Sequence, residues 1–175
     1  TLGSENRSGG YAATRHLIER GRRRIAFIGI ASSHAPEFED RWRGYRDALD
    51  EAGLEADPAL QRDSVTSEEA GHEAVRSLIA AGTSFDAIFA ASDLIAIGAM
   101  RALAEQGLSV PGDVALVGFD DIPAASFTNP PLTTVSQDVK AAGEALVDTL
   151  LRKIRGQAVE PYMLPTQLIV RGSSG

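Results

Sequence analysis

The hydrophobic and polar positions of the chain fall into two kinds of segment, which predict strands and helices in turn. Three short runs are almost continuously apolar: 24–30 (RIAFIGI), 85–91 (FDAIFAA) and 114–119 (VALVGF). Runs of this length without alternation are typical of strands that are covered on both faces, as in a parallel sheet. A weaker strand is predicted at about residues 60–65.

The segments between these runs have helical periodicity. Residues 37–52 place a core-facing stripe at spacings of three and four, made of Phe38, Trp42, Tyr45, Ala48 and Leu49. That spacing favours packing over ligand stacking for Trp42. Five helical segments are predicted to end at a glycine that takes the left-handed conformation, namely Gly21, Gly53, Gly82, Gly107 and Gly156. The order of elements predicts an α/β fold with a doubly wound, mostly parallel sheet flanked by helices on both faces.

Composition narrows the class of protein. The 175 residues, 43% of them hydrophobic, suit one domain with a substantial core. No apolar run reaches bilayer length, and no secretory signal pattern follows Thr1, whose place at the start leads us to expect a longer parent protein. The absence of cysteine excludes disulfides and thiol nucleophiles and fits a cytoplasmic protein.

Charge argues against nucleic-acid binding by this piece. The net charge is −7, whereas phosphate contacts need concentrated lysine and arginine. The one basic run, at residues 20–24, is predicted to complement the dipole at the end of a helix.

Polar residues follow each predicted strand, where the carboxyl ends of parallel strands form the usual ligand-binding edge. They are Ser32, Ser33 and His34, Thr66 and Ser67, Ser92 and Asp93, and Asp120 and Asp121. Neither a nucleophile elbow nor a glycine-rich phosphate loop is present, and the neighbouring carboxylates of Asp120 and Asp121 would point to opposite sides. The sequence therefore predicts no catalytic residue, no metal and no cofactor.

Recognition of a small polar molecule remains. Asp120 could accept two hydrogen bonds from hydroxyl groups. Arg41 has two interpretations: it contacts the ligand, or it forms a surface ion pair with Glu37 four residues earlier. Ser92 and Asp93 could each be the N-cap of the following helix, and for Asp93 the cap is favoured.

Several stretches together resemble one known family. They are GGYAATRHLIERGRRRIAFIG, RWRGYRDAL, ASDLIAIGAMRAL, VPGDVALVGFDD, PPLTTVSQD and LIVRGSS. In this order, from about Asn6 to Ser173, they are similar to the effector-binding core of LacI/GalR-type bacterial transcription repressors.

The resemblance implies a periplasmic-binding-protein-like fold of two lobes. The second lobe would span about residues 5–136. About residues 137–170 would belong to the first lobe and would consist of the crossover, a helix at 138–155 and a strand near 161–170. The DNA-binding helix-turn-helix domain would be absent from this chain. The apolar face of the returning helix would then lack its cover, so we expect self-association or local disorder there.

The resemblance also implies roles for single residues. Arg41, Asp120 and Gln137 match ligand-contacting positions of the family, Ser92 stands where asparagine is common, and Thr66 stands where many members have an aromatic ring. Ser33 joins this predicted ligand-binding set from its place after the first strand. A homodimer interface is implied for residues 67–72, 97–101 and 124–129. From these ranges the predicted contacts are Ser67, Gly71, Ile97, Arg101, Ser126 and Phe127.

The expected function is that of the effector-sensing domain of a cytoplasmic, LacI-type regulator. Its partners would be a sugar or related polyol, less readily a nucleobase, and operator DNA through the missing domain. The alternative is a secreted sugar-binding protein of a transporter, and an enzyme on the same scaffold is a distant third.

Overall fold

The computed structural model describes residues 2–29, 35–137, 139–160 and 162–175. Its helices are α1 (Asn6–Glu19), α2 (Pro36–Glu51), α3 (Glu68–Ala80), α4 (Asp93–Glu105) and α5 (Val139–Ile154). Its strands are β1 (Leu2–Ser4), β2 (Ile25–Ile28), β3 (Gln61–Arg62), β4 (Ala87–Ala90), β5 (Ala115–Val117), β6 (Thr134–Gln137), β7 (Tyr162–Leu164) and β8 (Thr166–Ile169).

Four strands form a parallel sheet in the order β3-β2-β4-β5. All residues of β2, β4 and β5 are buried, as the unalternated apolar runs predicted. A single parallel bridge from Val117 to Thr133 continues the sheet toward β6. Because the chain reverses its direction across the sheet after β3, right-handed crossovers place α2 on the opposite face from α3 and α4. The predicted doubly wound α/β fold is confirmed.

Two glycines allow the helices of each face to pack closely. A Cβ atom at Gly44 of α2 would overlap the carbonyl oxygen of Arg7 in α1, and one at Gly71 of α3 would overlap that of Ile95 in α4. Gly71 therefore has a packing role inside the chain, and its predicted contact with a second subunit stays a prediction.

The predicted stripe of α2 faces the core. Phe38, Tyr45 and Leu49 are buried, and the Tyr45 hydroxyl donates to the carbonyl oxygen of Ile25 in β2 at 2.7 Å. Trp42 is partly buried against the core, and its indole nitrogen donates to the Gln61 side chain at 2.8 Å. The packing role predicted for Trp42 is thus confirmed.

The basic run at residues 20–24 forms hydrogen bonds to two distant loops and does not serve only as the cationic end of α1. Arg22 donates to the carbonyl oxygens of Pro111 at 2.6 Å and of Asp86 at 3.2 Å. The Asp86 carboxylate in turn accepts from the backbone N–H groups of Arg23 and Arg24. These bonds fasten the entry into β2 to the segments that precede β4 and β5, a role that helix-dipole reasoning did not predict.

The last third of the chain forms α5 and the strands β6, β7 and β8, of which β6 pairs with β8 and β7 pairs with β1 from the start of the chain. The helix predicted at 138–155 is confirmed, whereas the predicted strand at 161–170 is divided into β7 and β8 around Pro165. Large apolar side chains of α5 are exposed, namely Leu146, Val147, Leu150, Leu151 and Ile154. Cover of this face by a first lobe and self-association through it both stay predictions.

A turn at Gly172–Ser174, whose two serines are buried, closes the far edge of the sheet. The Ser173 hydroxyl donates to the carbonyl oxygen of Leu116 at 2.6 Å and accepts from the Thr133 N–H at 2.8 Å. The Ser174 hydroxyl contacts Nε2 of His16 at 2.7 Å and the Thr133 hydroxyl at 2.6 Å. The turn therefore joins α1, β5 and the entry to β6. Within the described ranges, none of the helices has the length and apolarity required to cross a bilayer.

Candidate functional site

Arg41 lies at the carboxyl edge of the sheet, where the strand order reverses between β2 and β4. Its side chain is only 6% exposed. The guanidinium donates to the carbonyl oxygen of Ala91 at 2.6 Å and to the Asn6 side chain at 2.9 Å. Its central carbon lies 3.8 Å from the centre of the Phe119 ring. This burial shows that the interpretation of Arg41 as a surface pair with Glu37 is wrong.

Asp120 faces the same guanidinium. Its Oδ1 accepts from Nη2 of Arg41 at 3.3 Å, and the Asp120 side chain remains 42% exposed. Its backbone has φ of 112°, and that of Asp121 has φ of 55°, both in the region that side chains rarely adopt. The paired Arg41 is buried while Asp120 still reaches solvent, so the carboxylate has room for a ligand.

Burial dominates the ionisation of this pair. It raises the pKa of Asp120, and the positive charge of Arg41 only partly offsets that rise. Burial likewise lowers the pKa of Arg41, against the attraction of Asp120. Two charges held in a partly desolvated position offer strong, directional hydrogen bonds to a neutral polar ligand.

Gln137 lies at the end of β6 and lines the same recess as Asp120. This cavity of about 410 Å³ is bordered by Asp120, Asp121, Ser136, Gln137, Pro165, Thr166 and Gln167. The fold thus brings Asp120 and Gln137 to one recess and links Arg41 to it through the ion pair. That volume is within the usual range for small-molecule sites.

Asp121 is turned away from Arg41. It accepts from Nη2 of Arg171 at 3.0 Å, and its backbone N–H donates to the Thr134 hydroxyl at 3.3 Å. The two neighbouring carboxylates therefore have different partners, and Asp121 ties its segment to the residues that follow β8. Across the residues that the structure describes, no cluster of three or more His, Cys, Asp or Glu side chains is arranged to hold a metal ion.

Ser92 is the N-cap of α4, because its hydroxyl accepts from the N–H of Ile95 at 3.3 Å. The prediction that Asp93 is the cap is therefore wrong: Asp93 is the first residue of the helix and is fully buried. Ser92 follows Ala91, whose carbonyl binds Arg41, so Ser92 adjoins the site. Its contact with a ligand stays a prediction.

The remaining predicted ligand residues are dispersed. Thr66 is exposed after β3, and among the described residues no hydrogen bond or ion pair joins it to Arg41 or Asp120. Ser33 lies outside the described residues, as do Ser32 and His34. Both ligand assignments stay predictions.

The predicted subunit contacts lie on α3, α4 and the loop after Asp121. Phe127 is 86% exposed, and Ser126 and Arg101 are also exposed. Ile97 is half-buried, and Ser67 is the N-cap of α3 through the N–H of Ala70 at 3.1 Å. The exposed positions are accessible to a second subunit, and all six predicted contacts stay predictions.

The periplasmic binding protein-like domain family matches residues 14–174, nearly the whole chain. The chain belongs to this family. This periplasmic binding protein-like domain is 40% identical over 171 residues to the HTH-type transcriptional regulator CelR of Thermobifida fusca, a match that covers 97% of the chain and 50% of CelR.

Solved structures agree with that relationship. A LacI-family sugar-binding transcriptional regulator from Escherichia coli, complexed with phosphate, matches with a TM-score of 0.90 at 33% identity, covering 97% of this chain and 61% of that one. A CelR–cellobiose complex matches with a TM-score of 0.89 at 39% identity, covering 98% and 53%. The resemblance to LacI-type regulators is thereby confirmed. This domain spans about half the length of the curated relatives it matches.

Proposed function

We propose that this domain is the effector-sensing part of a LacI-type transcriptional regulator and that it binds a sugar or related polyol. The observation that carries the proposal is the Arg41–Asp120 pair at the switch point of the sheet. Its buried guanidinium and half-exposed carboxylate supply fixed donors and acceptors for hydroxyl groups, and Gln137 adds an amide at the same recess. The relative solved with cellobiose supports this ligand class.

The complete site is proposed to lie between this lobe, of about residues 5–136, and a first lobe. Residues of about 137–170 would return to that first lobe. Two observations support this division: the exposed apolar face of α5, and a chain that spans about half of its curated relatives. Ligand closure of the lobes would change the orientation of DNA-binding domains outside this chain in a cytoplasmic homodimer, which couples effector and operator binding. No catalytic residue, metal or cofactor is required.

The secreted transport protein gains no support, because the relatives described above are transcriptional regulators. An enzyme on this scaffold would lose turnover when Asp120→Asn removes its charge. A sensor loses ligand binding and has no turnover to lose.

The proposal is tested on the complete gene product that contains these residues. Thermal-shift and calorimetric titrations with cellobiose, other sugars and nucleobases should find a stabilising sugar. Arg41→Ala and Asp120→Ala should abolish that stabilisation, whereas Arg43→Ala, which removes an exposed arginine of the same helix, should leave it intact. Stabilisation that survives both site substitutions would refute the site, and binding of a nucleobase alone would refute the ligand class.

A further inference from the structure

Asp93 is a fully buried carboxylate to which the proposed function gives no role. Its Oδ1 accepts from the Thr134 hydroxyl at 2.7 Å, and its Oδ2 accepts from the N–H of Ile122 at 2.9 Å. Its own N–H donates to the carbonyl oxygen of Phe119 at 2.9 Å. One residue at the start of α4 thus holds both ends of the segment 119–122 and the first residue of β6.

This segment carries the Asp120 carboxylate. The N–H of Asp120 donates to Val135 of β6 at 2.8 Å, and the N–H of Asp121 donates to the same Thr134 hydroxyl that is bound to Asp93. The backbone has positive φ at both acids, a conformation that persists only when surrounding bonds impose it. Asp93 supplies two of those bonds directly and a third through Thr134.

Gly118 leaves the space that this arrangement needs. A Cβ atom at Gly118 would overlap Oδ1 of Asp93. The carboxylate therefore passes directly beneath the backbone that leads to Asp120.

The charges around Asp93 come from three elements. Asp120 and Asp121 face it from the segment above, Arg41 faces it from α2, and Arg171 neutralises Asp121 from beyond β8. Burial raises the pKa of Asp93 to about 6, while the bonds from Thr134 and Ile122 oppose that rise. The ionised carboxylate accepts both bonds, whereas protonation makes one oxygen a donor and obliges Thr134 to accept.

We propose that Asp93 is a positioning residue of the effector site, which holds the Asp120 carboxylate in register with Arg41 and fastens β6 to the same edge. The inference rests on the proposed function, in which Arg41 and Asp120 contact the ligand. Asp93 itself does not touch the ligand and acts through the backbone of 119–122 and through Thr134.

The first arm of the test measures affinity in the complete gene product with cellobiose as the probe. Asp93→Ala should weaken binding by roughly tenfold or more, because both acceptors are lost. Thr134→Val should weaken it by several-fold, whereas Thr134→Ser, which keeps the hydroxyl, should bind like the wild type. If Asp93→Ala does not fold, the comparison of Thr134→Val with Thr134→Ser tests the proposal. Equal affinities for Thr134→Val and Thr134→Ser would then overturn the proposal.

The pH profile separates positioning from a loss of folding stability. Asp93→Asn imitates the protonated acid, since its amide oxygen accepts from Ile122 while its nitrogen faces Thr134. The ratio of the Kd of Asp93→Asn to that of the wild type should be about tenfold at pH 7.5 and should approach one near pH 5, where the wild-type acid is also neutral. Equal Kd values for Asp93→Asn and the wild type at pH 7.5 would overturn the proposal.

A second arm needs no ligand and separates failure of this inference from failure of the proposed function. Amide hydrogen exchange should show loss of protection at Asp121 and Ile122 in Asp93→Ala, and at Asp121 alone in Thr134→Val. If cellobiose does not bind the wild type, the proposed ligand is at fault and this arm alone decides the role of Asp93. A folded Asp93→Ala that keeps wild-type protection at both amides would overturn the inference.

Discussion

The guanidinium of Arg41 lies against the ring of Phe119, with 3.8 Å between its central carbon and the ring centre. Phe119 is fully buried and directly precedes Asp120, so the residue that supports the cation also places its counter-charge. A cation on an aromatic face that is sheltered from water gains about 2 kcal/mol. The stacking and the ion pair together fix the plane in which the donors of Arg41 point.

That relationship predicts that lysine cannot replace Arg41. An ammonium group would lose the planar contact with Phe119 and cannot reach Asn6, Ala91 and Asp120 at once. Arg41→Lys should weaken effector binding in the complete gene product by about 2–5 kcal/mol, as measured by calorimetry. Arg43→Lys is the matched control on the same helix, and equal losses in the two variants would contradict the prediction.

The second prediction concerns Arg22 as a structural clamp. Arg22→Ala leaves the carbonyl oxygens of Pro111, Gly112 and Asp86 without their donor, which should lower the free energy of unfolding by about 1–3 kcal/mol. Arg23→Ala removes an exposed neighbour and should cost less than about 0.5 kcal/mol. Chemical denaturation of both variants makes the comparison. If Arg23→Ala lowers the free energy of unfolding as much as Arg22→Ala does, the basic run acts through its charge and not through these bonds.

Acidification should destabilise the fold through His16. Burial, followed by the charge of Arg20, lowers the pKa of His16 below its ordinary value near 6.5. The unfolded chain then binds the proton more readily, so the stability present above about pH 6.5 is lost as the pH falls through the lowered pKa. His16→Gln should remove this part of the acid destabilisation in thermal melts. His72→Gln is the control, and a wild-type melting profile in His16→Gln would refute the assignment.

The exposed face of α5 should make the 175-residue chain self-associate. Leu150 and Ile154 are 52% and 81% exposed, and burying them against a second copy removes apolar surface from water. The double variant Leu150→Lys with Ile154→Lys should sediment as a smaller species than the wild type, whereas Glu144→Lys on the same helix should not. A monodisperse wild-type monomer with strong exchange protection across 140–170 would contradict the prediction.

Phe127 tests the proposed dimer of the complete gene product. Its ring is 86% exposed, and truncation of an aromatic anchor at an interface costs about 2 kcal/mol or more of association free energy. Phe127→Ser should raise the dimer dissociation constant in sedimentation equilibrium without lowering the melting temperature of the monomer. Phe127→Leu keeps apolar surface, so its dimer dissociation constant should lie between those of the wild type and Phe127→Ser. An unchanged dissociation constant in Phe127→Ser would place the interface elsewhere.

The central sheet could be predicted because its signal is local. Each of the strands β2, β4 and β5 lies within a continuous apolar run, and the glycine after each helix marks its end. The small sheets carry no such signal. Leu2 pairs with Tyr162 in β1 and β7, which brings together distant parts of the chain that give no sign of each other in the sequence.

The site was predictable where one residue type suits only one task. Arg41 and Asp120 were each predicted to contact the ligand, whereas their ion pair was not predicted, because it depends on how α2 packs against the end of β5. Ser92 and Asp93 were not separable, because serine and aspartate are both good N-caps and only the bond to Ile95 decides between them. The arginines of the run 20–24 look alike in sequence, and the position of the Pro111 carbonyl selects Arg22.

The turn at Gly172–Ser174 affects how the protein can fold during its synthesis on the ribosome. The hydroxyl of Ser174 contacts a histidine 158 residues earlier, and Ser173 occupies a bond on β5 that nothing earlier in the chain supplies in the described structure. A nascent chain that has already made the central sheet must therefore keep this edge open until its serines emerge. We expect chaperones to bind the nascent chain in that interval, when the central sheet has been synthesised but the contacts of Ser173 and Ser174 have not yet formed.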